Sequence, residues 1–224
     1  MTSGPKVGLF GGTFNPVHYG HLRVAEEIAE GLSLDEVVFM PAADPPHKSP
    51  RGLALLSDRL KMLKMALEGQ SRFTVSDLEG RLSGPSYTVN TMRALKAERP
   101  DLGGPLLFLV GFDSFKQVGL WHEHQELFRL SSFVVFLRPG ARGGQAAVGE
   151  ILNEAAGRGW KWREREGSFF HKKYLPVIHF RQDSMLRISS TALRSRLREG
   201  RSVRYLVPDS VRAYINKEGL YLER

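Results

Sequence analysis

One stretch constrains this chain more than any other: residues 8 to 22, GLFGGTFNPVHYGHL. Val7, Leu9 and Phe10 read as a buried strand bounded by glycine. Gly11 and Gly12 are expected to break that strand, supplying positive φ or a close backbone approach. Pro16 cannot continue a ladder. After His18 the apolar period changes to 3.6, with Leu22, Ala25, Ile28 or Ala29, and Leu32 on one face. The stretch is therefore strand, glycine-rich turn, helix. His18 and His21, three residues apart, share a face of the first helical turn. Free backbone N–H groups, the positive end of a helix dipole and two titratable rings make an anion site.

The rest of the chain alternates. Asp35 to Pro41 reads as a second strand, and Ser57 to Gly69 as a helix capped by Ser57 with Leu60, Leu63 and Leu67 as its stripe. Arg72 to Leu78 is a third strand, and GPSYTVNTMRALKAERP turns into a helix that Pro100 ends. Pro105 to Val110 is apolar throughout, as a central parallel strand covered on both faces should be. A helix is expected at 121–130, where His122 and His124 fall on different faces. Ser132 to Leu137 is the next strand, and Leu175 to Phe180 the last. This order predicts a single α/β domain with a doubly wound parallel sheet. Asp113 then stands just beyond a central strand's carboxyl end, where such sheets bind ligands. Neither G-x-G-x-x-G nor a P-loop is present to explain nucleotide binding.

Composition narrows the class. There is no cysteine, hence no disulfide framework and no thiolate nucleophile or metal site. No apolar run approaches the length that spans a bilayer, and no leader-like segment precedes the first strand, so a soluble cytoplasmic protein is expected. The net charge of +8 suits polyphosphate substrates as well as nucleic acid. Residues 158–174 interleave aromatic and basic side chains. That pattern fits single-strand nucleic-acid binding, but an amphipathic hairpin with solvated Lys and Arg is the preferred reading.

Far downstream, ISSTALR (Ile188 to Arg194) opens a second helix, with Ser189 or Ser190 as its cap and Leu193 and Leu197 buried. Hydroxyls, free N–H groups and an arginine on one first turn make a second anion site. Together, GGTFNPVHYGHL and ISSTALR resemble the two signatures of bacterial nicotinate-mononucleotide adenylyltransferases, members of the HxGH nucleotidyltransferase superfamily. The resemblance covers most of the chain outside about 140–174, which departs from the family pattern as an insertion.

The resemblance implies a Rossmann-like nucleotidyltransferase fold and transfer of AMP from ATP to nicotinate mononucleotide, giving deamido-NAD and pyrophosphate. It implies His18, His21 and Arg194 as catalytic. It assigns phosphate contacts to Gly11, Gly12, Thr13, Phe14, Lys48, Ser189, Ser190 and Thr191. Gly111 and Asp113 fall to the ribose or ligand, and Tyr87, Thr88 and Trp121 to the pyridine. Mg²⁺ is implied, held mainly through ATP phosphates. Nicotinamide mononucleotide or phosphopantetheine as acceptor, or a basic nucleic-acid-binding protein, are the alternatives. A membrane partner is not expected, and nucleic acid is disfavoured.

Overall fold

A computed structural model describes residues 4–45, 52–102, 106–137, 144–180, 184 and 186–222. In chain order these form β1 (Val7–Gly12), α1 (Tyr19–Gly31), β2 (Glu36–Pro41), α2 (Leu56–Ala66), β3 (Phe73–Val75), α3 (Leu78–Arg81) and α4 (Thr88–Glu98). Then come β4 (Leu106–Gly111), α5 (Phe112–Phe115), α6 (His124–Leu130), β5 (Ser131–Phe136) and α7 (Gln145–Ala156). The chain closes with β6 (Lys161–Arg163), β7 (Ser168–Phe170), β8 (Val177–Phe180), α8 (Ser190–Arg198) and α9 (Asp209–Glu218).

The strands lie in the order β3-β2-β1-β4-β5-β8-β7-β6. From β3 to β8 every pairing is parallel. Alternate residues of the central strands serve opposite faces. Phe10, Phe39, Leu107 and Val134 join the core under α1, α2, α8 and α9. Leu9, Val38, Phe108 and Val135 join the core under α4, α6 and α7. Strand order reverses between β1 and β4, so both leave their carboxyl ends at one crevice.

The sheet is mostly parallel rather than wholly so. β7 runs antiparallel to β8, and β6 antiparallel to β7. The turn at Glu164–Glu166 followed by left-handed Gly167 is too short for a parallel crossover. This is the hairpin that the aromatic and basic interleaving predicts.

Several local expectations need correcting. Gly11 and Gly12 do not break β1; they pair with Met40 and Pro41 in the ladder. The positive φ belongs to Phe14 instead, at 47°. The glycines provide space: a Cβ on Gly11 would lie 3.1 Å from the Phe108 ring, and one on Gly12 3.1 Å from the Phe14 ring. The third strand stops at Val75, and Leu78 already belongs to a helical turn. Residues 121–123 stay outside α6, because Glu123 is left-handed and serves as its N-cap.

The α2 reading misplaced its cap and put Leu60 on the stripe where Arg59 and Met62 are buried, while Leu63 and Leu67 are core as expected. Leu55, not Ser57, occupies the cap position, and the buried face is Arg59, Met62 and Leu63. Arg59 is 1% exposed. Its guanidinium donates to three main-chain carbonyls: Ala54 at 3.0 Å, Thr13 at 3.0 Å and Ala42 at 2.7 Å. It thus ties α2 to the loops that leave β1 and β2. Burial lowers its pKa, while the nearby Tyr221 and Glu79 act in the other direction.

Replacing Arg59 with leucine should leave those carbonyls unpaired in a dry site. A loss of about 3 kcal/mol or more is expected, seen as a lower urea midpoint at unchanged m. A loss below about 1 kcal/mol would show that the three bonds are not holding these loops.

Candidate active site

The crevice at the ends of β1 and β4 opens into a cleft of about 1040 Å³. Its phosphate-facing wall comes from β1 and the start of α1. Gly11, Gly12, Thr13, His18 and His21 all line it. His18 is the residue before α1, and the His18 and His21 rings stack with centroids 3.7 Å apart at 22°. The shared helical face expected from their spacing is therefore real. His21 also meets Phe14 edge-on at 5.0 Å and Phe10 at 6.1 Å. Gly20 makes this packing possible: a Cβ there would come within 3.0 Å of His18 Nδ1. Phe14 reaches the cleft, but its ring is core, packed on Phe10 and Phe39. What it offers a ligand is main chain.

Ser189, Ser190, Thr191 and Arg194 face this wall from the start of α8. Ser189 is the cap, its Oγ accepting from the Ala192 N–H at 3.2 Å. The Ser190 hydroxyl donates to the Pro16 carbonyl at 2.9 Å. Arg194 donates through Nη1 to the Asn15 carbonyl at 2.8 Å and through Nη2 to Thr191 Oγ1 at 3.3 Å. The second signature is thus sewn to the first across 174 residues of chain. Part of the hydrogen-bonding capacity of Ser190 and Arg194 goes into that seam and is not offered to a ligand. Burial lowers the Arg194 pKa, with Tyr221 opposing, yet the guanidinium stays charged at any working pH.

Sequence reasoning missed what holds the seam in place. The Asn15 side chain donates to the Gly52 carbonyl at 2.9 Å and accepts from the Ala54 N–H at 3.1 Å. Its Oδ1 also accepts from the Tyr221 hydroxyl at 2.8 Å. Asn15 sits inside the first motif, and an Asn before Pro in a turn could have been read as a loop staple. Tyr221 gave no such signal. Lys48 lies outside the described residues.

The cleft's other end is built by β4, α5, the start of α4 and residues 120–122. Gly111 ends β4, and Asp113 follows in α5 with Lys116 Nζ 3.1 Å from its carboxylate. Trp121 lines the cleft with Phe108 edge-on behind it at 6.2 Å. Tyr87 and Thr88 line it from the start of α4. The Tyr87 N–H donates to the Pro85 carbonyl at 2.7 Å. Thr88, the first residue of α4, keeps the helix-start N–H. Two further polar side chains that line this end were not assigned to the site. His122 stacks on the Tyr87 ring at 4.5 Å. Glu79 reaches in from α3, accepting from the Ala43 N–H at 3.2 Å and the Thr91 hydroxyl at 2.8 Å.

Every assigned site residue within the described part of the chain therefore lines one cleft. The donors at its phosphate wall are imidazole, hydroxyl, guanidinium and main-chain N–H, a set that suits anions. Among the described residues no group of three or more His, Asp or Glu side chains is placed to hold a metal ion.

Comparison with known proteins accords with this geometry. The cytidylyltransferase-like family model matches residues 9–196. A protein of Geobacter metallireducens named a probable nicotinate-nucleotide adenylyltransferase is 40% identical over 216 residues, 96% of this chain and 98% of that one. One of the same name from Desulfitobacterium hafniense is 40% identical over 96% of this chain and 95% of its own. Two structures of the Plasmodium falciparum nicotinic acid mononucleotide adenylyltransferase share the fold. The complex with NaAD gives a TM-score of 0.72 at 20% identity, covering 97% of both chains. The complex with APC gives 0.71 at 18% identity with the same coverage. By the model matched along most of its length and by relatives 40% identical from end to end, this chain belongs to the cytidylyltransferase-like family, among its nicotinate-nucleotide adenylyltransferases.

Proposed function

We propose that the protein transfers AMP from ATP to nicotinate mononucleotide, forming deamido-NAD and releasing pyrophosphate. The observation that carries this reading is the convergence of two helix starts, His18–His21 and Ser189–Arg194, on one cleft of about 1040 Å³. In the reaction, an oxygen of the mononucleotide's phosphate attacks the α-phosphorus. The bond from that phosphorus to the bridging oxygen breaks, and pyrophosphate leaves with the electron pair. The protein supplies no nucleophile. Its work is to align the two phosphates and stabilise charge as it shifts toward the leaving group. His18 and His21 donate to phosphate oxygens at the reacting end. Arg194, with the Thr191 hydroxyl and the N–H groups at the start of α8, holds the pyrophosphate side.

Mg²⁺ belongs to this reading only as a companion of the triphosphate. The donors at the phosphate wall do not chelate a hard cation, and Asp113, one of the carboxylates lining the cleft, has Lys116 beside it. The described residues do not by themselves build a magnesium site, and the chemistry above rests on the protein's own donors. Residues 144–174 are assigned no part in the chemistry, since none of them lines the cleft. Among the described residues no helix is long and apolar enough to cross a membrane. We place the enzyme with its small-molecule substrates in the cytoplasm.

His21→Ala should lower kcat by roughly 10²–10³, the usual loss for one preorganised donor, while the variant still folds. A folded variant with near-normal kcat would remove His21 from the chemistry. Arg194→Lys replaces a planar fork by a single ammonium that cannot serve both the Asn15 carbonyl and a phosphate. Its KM for ATP should rise more than its KM for the mononucleotide, and equal rises would argue against a pyrophosphate-side role.

The acid should be preferred to the amide mononucleotide by on the order of 10²-fold in kcat/KM. The Thr88 N–H at the positive end of α4 suits a carboxylate oxygen. Of the carboxylates lining the cleft, Glu79 already accepts bonds at both oxygens and Asp113 has Lys116 beside it, so each is partly engaged before an amide arrives. Comparable kcat/KM for the two mononucleotides would change the substrate while leaving the adenylyl-transfer chemistry in place.

A further inference from the structure

Two separate pieces of chain make the cleft wall farthest from the phosphates: the start of α4 and the turn at 120–123. Contacts at two points join them. Near the start of α4 the Tyr87 ring lies on the His122 ring, 4.5 Å apart at 22°. Farther along α4, Arg93 grips Glu123 with its whole fork: Nη1 to Oε1 at 2.9 Å and Nη2 to Oε2 at 2.6 Å. His122 Nε2 stands 3.4 Å from the same Oε1. The guanidinium holds the Glu123 carboxyl below the usual carboxylate range, so the pair is ionised at neutral pH.

Glu123 is an unusual residue to find there. Its backbone is left-handed, φ 47° and ψ 40°, a region glycine enters freely and glutamate does not. It also begins α6, its carbonyl accepting from the Glu126 N–H at 2.9 Å. A disfavoured backbone persists where its surroundings over-determine it, and such positions cluster at ligand sites. Here the determining contact on the outside is Arg93. On the inside are Trp121, backed by Phe108, and His122; both line the cleft.

The pair is about half exposed, 44% for Arg93 and 42% for Glu123. Exposed ion pairs contribute little to global stability. A bidentate pair nonetheless fixes orientation, because both forks must be coplanar. Its effect should therefore fall on geometry more than on folding.

We propose that Arg93 and Glu123 form a positioning clamp that sets the acceptor end of the cleft, holding Trp121 and His122 at a fixed separation from Tyr87 and Thr88. Neither clamp residue touches substrate. The inference rests on the adenylyl-transfer reading for which substrate it affects, not for whether the clamp holds Trp121. Without the pair, Glu123 can relax from its left-handed state, and Trp121 and His122 move with it. The mononucleotide then meets a wall that is not preformed, whereas the triphosphate site is untouched.

The test is a double-mutant cycle: Arg93→Gln, Glu123→Gln and both together. Each single variant should raise the KM for the mononucleotide about three- to tenfold, with the KM for ATP and kcat within about twofold of wild type. The double variant should be no worse than the worse single, because either change alone already opens the clamp. A readout besides activity is acrylamide quenching of Trp121 in a background with Trp160 and Trp162 changed to Phe. Quenching should rise equally in all three variants. Unchanged KM in the singles, equal rises for both substrates, additive effects in the double, or unaltered quenching would each overturn the clamp. If wild-type protein makes no dinucleotide and no pyrophosphate from ATP and the mononucleotide, the activity reading fails, and quenching alone then decides the clamp.

Discussion

The mouth of the cleft hangs on one guanidinium taken out of water. Arg59 bonds the carbonyls of Thr13, after β1, and of Ala42 and Ala54, at the two ends of the connection from β2 to α2. Among the described residues no carboxylate lies within ion-pair distance of it. That choice of partners has two consequences. Carbonyls satisfy the donors without cancelling the charge, so a full positive charge remains beneath an anion site. A planar fork can also reach three differently directed acceptors, which a lysine ammonium in the same space would reach less well. The desolvation that depresses the Arg59 pKa is set against hydrogen bonds made once, during folding.

The same logic runs through the seam between the two signatures. Ser190 bonds Pro16 and Arg194 bonds Asn15, while Asn15 is itself held by Ala54 and Tyr221. Groups that a reader of the sequence would assign to a ligand are in part assigned to each other. This is what a preorganised anion site requires. Donors locked by the fold do not have to reorganise when charge moves in the transition state, and their ordering is complete before substrate arrives. The stacked His18 and His21 rings, kept close by the missing Cβ of Gly20, follow the same rule.

Much of this was legible in the residues, and what was not has identifiable causes. Apolar runs at β1, β2, β4 and β5 marked buried strands, because a strand covered on both faces needs no alternation. The two motifs could be placed at helix starts from capping residues and glycine. Arg59 was hidden by its own character. An arginine in an amphipathic helix is read as solvent-facing, which pushed the apparent stripe of α2 onto Leu60, whereas the buried face runs through Arg59, Met62 and Leu63. Glu79, His122 and Tyr221 carry no local signature, since each acts through a partner distant in sequence. The left-handed residue was sought at a glycine and lies at Phe14, where close packing of the ring on Phe10 and Phe39 holds a conformation that propensity disfavours.

The chain's excess positive charge takes on meaning from where it is left unpaired. In the β6–β7 hairpin, the aromatic residues and Arg163 are absorbed locally, while Lys161 and Arg165 stand exposed. Trp160 stacks on Tyr174 at 5.7 Å and 9°, Trp162 packs on Phe169, and Arg163 lies 4.1 Å over the Phe170 ring with Glu166 at 4.0 Å. Rings stacked on one another are poor platforms for bases, and an arginine shared between a ring and a carboxylate is a poor phosphate ligand. At the cleft the situation is the reverse. Arg194 lines the cleft partly desolvated and bonded to a neutral carbonyl, and Arg59 lies buried behind it, bonded to three more. A net charge of +8 alone is compatible with a nucleic-acid binder or a nucleotide enzyme. Two features favour the second: the hairpin's rings pack on one another rather than standing open, and Arg194 lines the cleft with its guanidinium bonded to a neutral carbonyl, where a polyphosphate can reach it.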